Sequence, residues 1–180
     1  MVAGMLQRLG IFMGPQLTED SEDSDFTIHR GNFNIFTVRG HPSHAGYLKS
    51  IGSVIASRNK RYSVWGWKDP IAIFYLPAIV PLLRNVHYIF ITRDWGAVAQ
   101  RELAEGALSG GLLEHMQRVA RLYSMIFEFI AAQQSPTLMI SYERALRHPE
   151  AVAESFMAFT NRQDAKFVEW SQGFIRPRYE

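Results

Sequence analysis

Two strand-like runs in this chain end in the same way, in a cation followed by an aspartate that opens a helix: Val64-Trp65-Gly66-Trp67-Lys68-Asp69-Pro70 and Ile89-Phe90-Ile91-Thr92-Arg93-Asp94. A strand that passes directly into a helix is the repeating unit of a parallel sheet, because parallel neighbours need a long crossover between them. Ligands of such sheets bind outside the carboxyl ends of the strands. Lys68 and Arg93 are therefore expected in one crevice, where they would favour an anion such as phosphate or sulfate.

The rest of the chain fits that architecture. Val2, Met5, Leu6 and Leu9 recur at helical spacing and Gly10 supplies a C-cap, so Met1 to Leu9 is read as a helix. Thr18 to Asp25 reads as a solvated acidic loop and Asn32 to Arg39 as a short strand. A helix is expected from Tyr47 to the basic end Arg58, Lys60 and Arg61, then a strand over Tyr62 to Trp67. Asp69-Pro70 offers an N-cap and an N1 proline for a helix to about Arg84. Val86 to Thr92 is a continuous apolar run suited to a strand buried on both faces. Asp94 caps a helix to about Glu105, and the glycines from Gly106 to Gly111 separate it from a second helix over Leu112 to Gln134. The latter carries Met116, Val119, Leu122, Tyr123, Ile126, Phe127 and Ile130 on a core-facing stripe. Thr137 to Ser141 is the third buried strand, and Pro149 opens a helix ending near Asn161. The predicted fold is one α/β domain over residues 1–180, a parallel sheet flanked by helices.

Composition narrows the function classes. At 47% apolar and 20% charged residues the chain is of globular type. No apolar run approaches the roughly 20 residues that cross a bilayer, and the N-terminus has no signal-peptide pattern, so the cytoplasm is the expected location. The chain has no cysteine, which removes disulfides, zinc-thiolate sites and thiol nucleophiles. Five of its 17 acidic residues fall in Glu19 to Asp25, which leaves the remainder basic. Those cations form no run or aromatic-interleaved patch, so nucleic acid is not expected as a partner.

Arg93 and Arg101 are eight residues apart, with small Gly96, Ala97 and Ala99 between them. Small side chains there let a bulky ligand approach a helix N-terminus, whose amides and dipole favour an anion. Other motifs carry less. His41 and His44 lack a third metal ligand, and Asp20 to Gly31 lacks the glycine and glutamate of a calcium loop, so no metal is expected. Gly40 to Gly46 encloses Ser43 without the spacing of a nucleophile elbow. Lys49 and Ser50 lie on a helix face rather than in a phosphate loop.

Taken in order, Val2-Ala3-Gly4-Met5-Leu6-Gln7-Arg8-Leu9-Gly10, Trp65-Gly66-Trp67-Lys68-Asp69-Pro70, Ile91-Thr92-Arg93-Asp94 with Ala97-Val98-Ala99, and Ile140-Ser141-Tyr142-Glu143 with His148-Pro149-Glu150 resemble bacterial sulfotransferases. The resemblance implies a P-loop-like nucleotide-binding fold. It also implies transfer of a sulfuryl group from 3′-phosphoadenosine 5′-phosphosulfate to a hydroxyl or amine acceptor. By it Arg93 would hold the donor's 3′-phosphate, with Arg101 where the family usually has a serine. Lys68 would stabilise charge on the transferring group, and Glu22 in the acidic segment would be the base. The family's first strand and its Arg-Ser-Gly-Thr-Ser type phosphosulfate loop precede the helix matched here. The expectation is therefore an N-terminally incomplete chain, from a misread start or a genuine truncation. The alternative is a noncatalytic, truncated relative that binds a nucleotide weakly or serves as an interaction module.

Overall fold

The computed structural model describes residues 1–18, 21–27, 42–106 and 110–176. Helix α1 spans Val2–Arg8 and buries Met5 and Leu6 of the predicted stripe together with Ala3, while Val2 is half-buried. It stops where Gly10 turns left-handed at φ 74°, its N–H closing on the Gln7 carbonyl at 2.9 Å. The expected strand over Asn32 to Arg39 lies outside the described residues, as do His41, Asp20 and the side chain of His44.

Among the described residues the sheet has two strands, β1 (Tyr88–Thr92) and β2 (Thr137–Ser141), paired in parallel with Tyr88 opposite Thr137 and Thr92 opposite Ser141. Their crossover consists of α5 (Trp95–Ala104) and α6 (Leu112–Ala132). Ahead of β1 lie α2 (Ser24–Thr27), α3 (Pro42–Arg61) and α4 (Leu76–Ile79). After β2 come α7 (Tyr142–Arg147), α8 (Pro149–Thr160) and α9 (Phe167–Phe174). α8 ends as a helix should, with Asn161 left-handed at φ 50°.

Alternation along the strands sends Ile89, Ile91, Leu138 and Ile140 to one face, against a core that includes Met5, Leu6, Val152 and Phe156. Tyr88 and Phe90 face the other way and meet α6 edge-to-face, Tyr88 on Phe129 and Phe90 on Tyr123 and Phe127. Helices thus flank both faces, but the cover is thinner than the apolar runs predict. All of β1 is half-buried, Met139 is 51% exposed and Phe127 on the α6 stripe is 43% exposed. Only Val119 of the seven predicted stripe residues is fully buried. The two described strands are too narrow to use both flanks of a helix of this length.

Two further expectations are corrected. Tyr62 to Trp67 is not a strand: it makes a single parallel bridge, Trp65 to Phe12, with the Gly66 N–H on the Phe12 carbonyl at 2.9 Å. Side-chain packing holds it instead of a ladder. Trp67 stacks on Phe26 at 4.7 Å, and the indole N–H groups of Trp65 and Trp67 donate to Asn59 and Tyr75. Nor does one helix run from Pro70 to Arg84. Pro77 and Pro81 have no N–H to give, and the segment breaks into 3₁₀ turns over Ala72–Phe74 and Val80–Leu82 around α4. Asp69 accepts the Ile71 N–H at 3.0 Å in a local turn, but the first helical turn starts at Ala72 with Ile71 as its N-cap residue and no side-chain cap bond, so the expected Asp69 cap is not formed.

The acidic segment is not the solvated loop its composition suggests. Asp23 is 0% exposed and Arg58 of α3 only 4%. The Arg58 guanidinium donates to both oxygens of Asp23 and, at 2.6 Å, to Asp25. Its carbon lies 5.2 to 5.4 Å from the ring centres of Phe26, Phe12 and Trp65. Gly14 makes room for the buried carboxylate: at φ 127°, a Cβ there would stand 2.6 Å from Asp23 Cγ. Around this cluster a second core forms from Phe26, Tyr47, Ile51, Ile55, Tyr75 and Ile79.

Candidate functional site

Because Thr92 and Ser141 are register partners, the chains leaving β1 and β2 emerge side by side, and their next residues meet. The Arg93 guanidinium carbon lies 4.1 Å from the centre of the Tyr142 ring. One position further, the Asp94 N–H donates to Glu143 Oε1 at 2.8 Å. Tyr123, reaching up from α6, accepts the Arg93 N–H at 3.0 Å and donates to the Arg93 carbonyl at 3.1 Å. The backbone of Arg93 is therefore clamped from both sides, while its side chain is fixed only by the face of one ring. Among the described residues no carboxylate forms an ion pair with it.

The helix start beside it is built as the sequence predicts. Asp94 Oδ1 accepts the Ala97 N–H at 2.7 Å and caps α5. The amides of Trp95 and Gly96 precede the helical ladder and are not part of that cap. Trp95 itself is 50% exposed. Glu143 closes the other side: its Oε2 accepts the Ser141 hydroxyl at 3.1 Å, and that hydroxyl accepts the Arg144 N–H at 3.2 Å, capping α7. Burial works against the Glu143 charge. The N–H groups of Asp94 and Glu143, the Ser141 hydroxyl and the Arg93 cation outweigh it and hold the carboxyl below its usual range. The arrangement is a half-buried cation at the carboxyl end of a parallel sheet, next to a helix N-terminus.

The other nominated residues are distributed differently. Lys68 and Glu22 are brought together, Nζ to Oε1 at 3.3 Å, with 34% and 15% of their side chains exposed. Lys68 is not on a strand, and β1 pairs with β2, so Lys68 and Arg93 do not end neighbouring strands as the sequence predicts. Arg101 sits in the last turn of α5, where Nε lies 3.7 Å from Glu105 Oε1. About 9 Å of helix rise separates it from Trp95, and it does not touch Arg93. Sequence reasoning did not single out Tyr123, Trp95 or the roles of Tyr142 and Glu143. The Ser141-Tyr142-Glu143 run carried that signal in its place right after a strand, whereas Tyr123 looked like one more apolar residue of a helix stripe.

Among the described residues no cluster of three or more His, Asp or Glu side chains could hold a metal, and no helix is long and apolar enough to cross a membrane. Comparison with protein-family models, with curated proteins and with solved structures finds no match.

Proposed function

We propose that this chain is a sulfotransferase-like domain of P-loop type. In this reading the pocket at Arg93 takes the 3′-phosphate of 3′-phosphoadenosine 5′-phosphosulfate. The observation that carries it is the Arg93 guanidinium, held over Tyr142 at the joint end of two parallel strands, with no carboxylate in ion-pair contact with it among the described residues. An arginine fixed at its backbone, with no ion pair at its head among the described residues, presents a planar fork of donors to an oxyanion. The Trp95 and Gly96 amides add to the pull on an anion. The exposed Trp95 ring supplies a flat surface for an adenine.

The chemistry this reading assigns is displacement at sulfur. The acceptor oxygen or nitrogen forms a bond to sulfur as the bond from sulfur to the 5′-phosphate oxygen breaks, and the acceptor proton passes to Glu22. The Lys68 ammonium, 3.3 Å from Glu22, steadies the negative charge that builds on the transferring group. A second reading, a noncatalytic nucleotide-binding or interaction module, draws on Arg101, whose partner is Glu105 rather than the pocket.

Calorimetric titration with adenosine 3′,5′-bisphosphate tests the shared premise. Micromolar binding that Arg93→Ala abolishes, with an unchanged circular dichroism spectrum, is the expected result; undiminished binding in that variant would sink the assignment. If binding is present, transfer of labelled sulfate from the donor to a panel of hydroxyl and amine acceptors separates enzyme from binding module.

A further inference from the structure

A cleft of about 510 Å³ opens where the chain leaving α1 meets the chain leaving α3. Its walls include Gly10, Phe12, Arg61, Tyr62, Ser63 and Arg162, and no Asp or Glu is among the described residues that line it. Its size falls within the roughly 300–1,000 Å³ of small-molecule sites.

Arg162 uses one N–H, from Nη1 to the Leu9 carbonyl at 3.2 Å, and Arg61 lies over the Tyr62 ring with its carbon 5.4 Å from the centre. Among the described residues neither has a carboxylate within ion-pair distance. Arg8, Arg58, Arg101 and Arg118 all do. The left-handed turn at Gly10 brings the chain against Arg162, and a Cβ there would sit 3.5 Å from its Nη1. Phe12 and Tyr62 stack with centres 4.0 Å apart and planes 10° from parallel, which makes one wall a rigid pair of rings.

Two guanidinium groups facing a cavity without acid attract an oxyanion, and the stacked rings beside them attract an apolar or planar body. We propose that this cleft is a second ligand site, independent of the pocket at Arg93, for a small phosphate or sulfate ester. Arg61 and Arg162 hold the anionic head, and the edges of the stacked Phe12 and Tyr62 rings, whose outer faces carry Arg58 and Arg61, line the organic part.

Phenyl phosphate is the probe, titrated calorimetrically into the full chain, with phenol as the uncharged control. Saturable binding at this cleft is expected, weakened about tenfold by either Arg61→Gln or Arg162→Gln, the effect of losing one charge-assisted hydrogen bond. Arg93→Ala should remove at most a separate binding phase and leave the phase sensitive to Arg61→Gln unchanged. Arg61 is exposed and its side chain makes no hydrogen bond among the described residues, so Arg61→Gln removes the donor without disturbing the fold. The proposal is overturned if folded protein shows no saturable binding, if phenol binds as tightly, if Arg61→Gln has no effect, or if Arg93→Ala is the variant that abolishes binding.

Discussion

Arg58 and Arg93 both rest on aromatic rings, yet their surroundings differ in every other respect. Arg58 is enclosed by three rings and two aspartates, and burial, which on its own would lower its affinity for a proton, is outweighed by Asp23 and Asp25. Arg93 has one ring, a clamp on its backbone and a half-open head. The comparison separates a cation used to build a fold from one left available to a ligand. In the first, the guanidinium is tied by three hydrogen bonds to two aspartates; in the second, the protein fixes position and, among the described residues, brings no carboxylate within ion-pair distance, Glu143 being felt only through its field.

Removing each group should break that contrast in a different place. Arg58→Ala strands the Asp23 carboxylate in the interior and should cost about 3–5 kcal/mol in urea denaturation. A loss below about 1 kcal/mol would mean that Asp23 finds water or a proton with little rearrangement. Asp94→Ala removes the α5 cap and should cost about 1 kcal/mol by the same measurement, lowering nucleotide affinity as the helix start frays. Arg93→Ala should change stability by less than about 1 kcal/mol, the worth of an exposed cation–π contact, while nucleotide binding is lost. A large stability loss there would make Arg93 a second Arg58. The smallest effect concerns pH. Glu143 has a lowered pKa in the fold, so its stabilisation is present above its ordinary value near 4.5 and is lost as pH falls through the lower folded value. The stability difference between the wild type and Glu143→Gln should accordingly be flat above about pH 5 and shrink in acid; a difference that grows on acidification would reverse the sign of the shift.

Sequence patterning located β2, α5, α6 and α8 to within a residue or two, along with the Asp94 cap, because these elements are specified by their own periodicity and punctuation. Arg93 was legible for the same reason: its position after an apolar run and before a cap fixes where it emerges. The partners of the acidic segment were not. Asp23 meets Arg58 across 35 residues, and nothing local distinguishes an aspartate that will be buried from its solvated neighbours. Likewise, the aromatic run at Trp65 has the propensity of a strand, but its rings found better partners in Phe26 and Tyr75 than a backbone ladder would have provided. The pairing of Lys68 with Glu22 is equally nonlocal, and only the fold reveals that two residues nominated for one reaction stand 3.3 Å apart.

The level carboxyl ends of β1 and β2 also have a consequence for the order of folding. The contacts that make the pocket are long-range, 48 residues apart from Thr92 to Ile140 and 49 from Asp94 to Glu143, whereas α5 and α6 are joined by a short connection. The hairpin of helices can form locally, but the loop it belongs to must close before any strand bond rewards the lost entropy. A chain caught with its helices formed and its strands apart has no pocket. An anion at Arg93 would then act as a latch on the last closure, adding roughly 2.7 kcal/mol to the closed state at a hundredfold excess over its Kd.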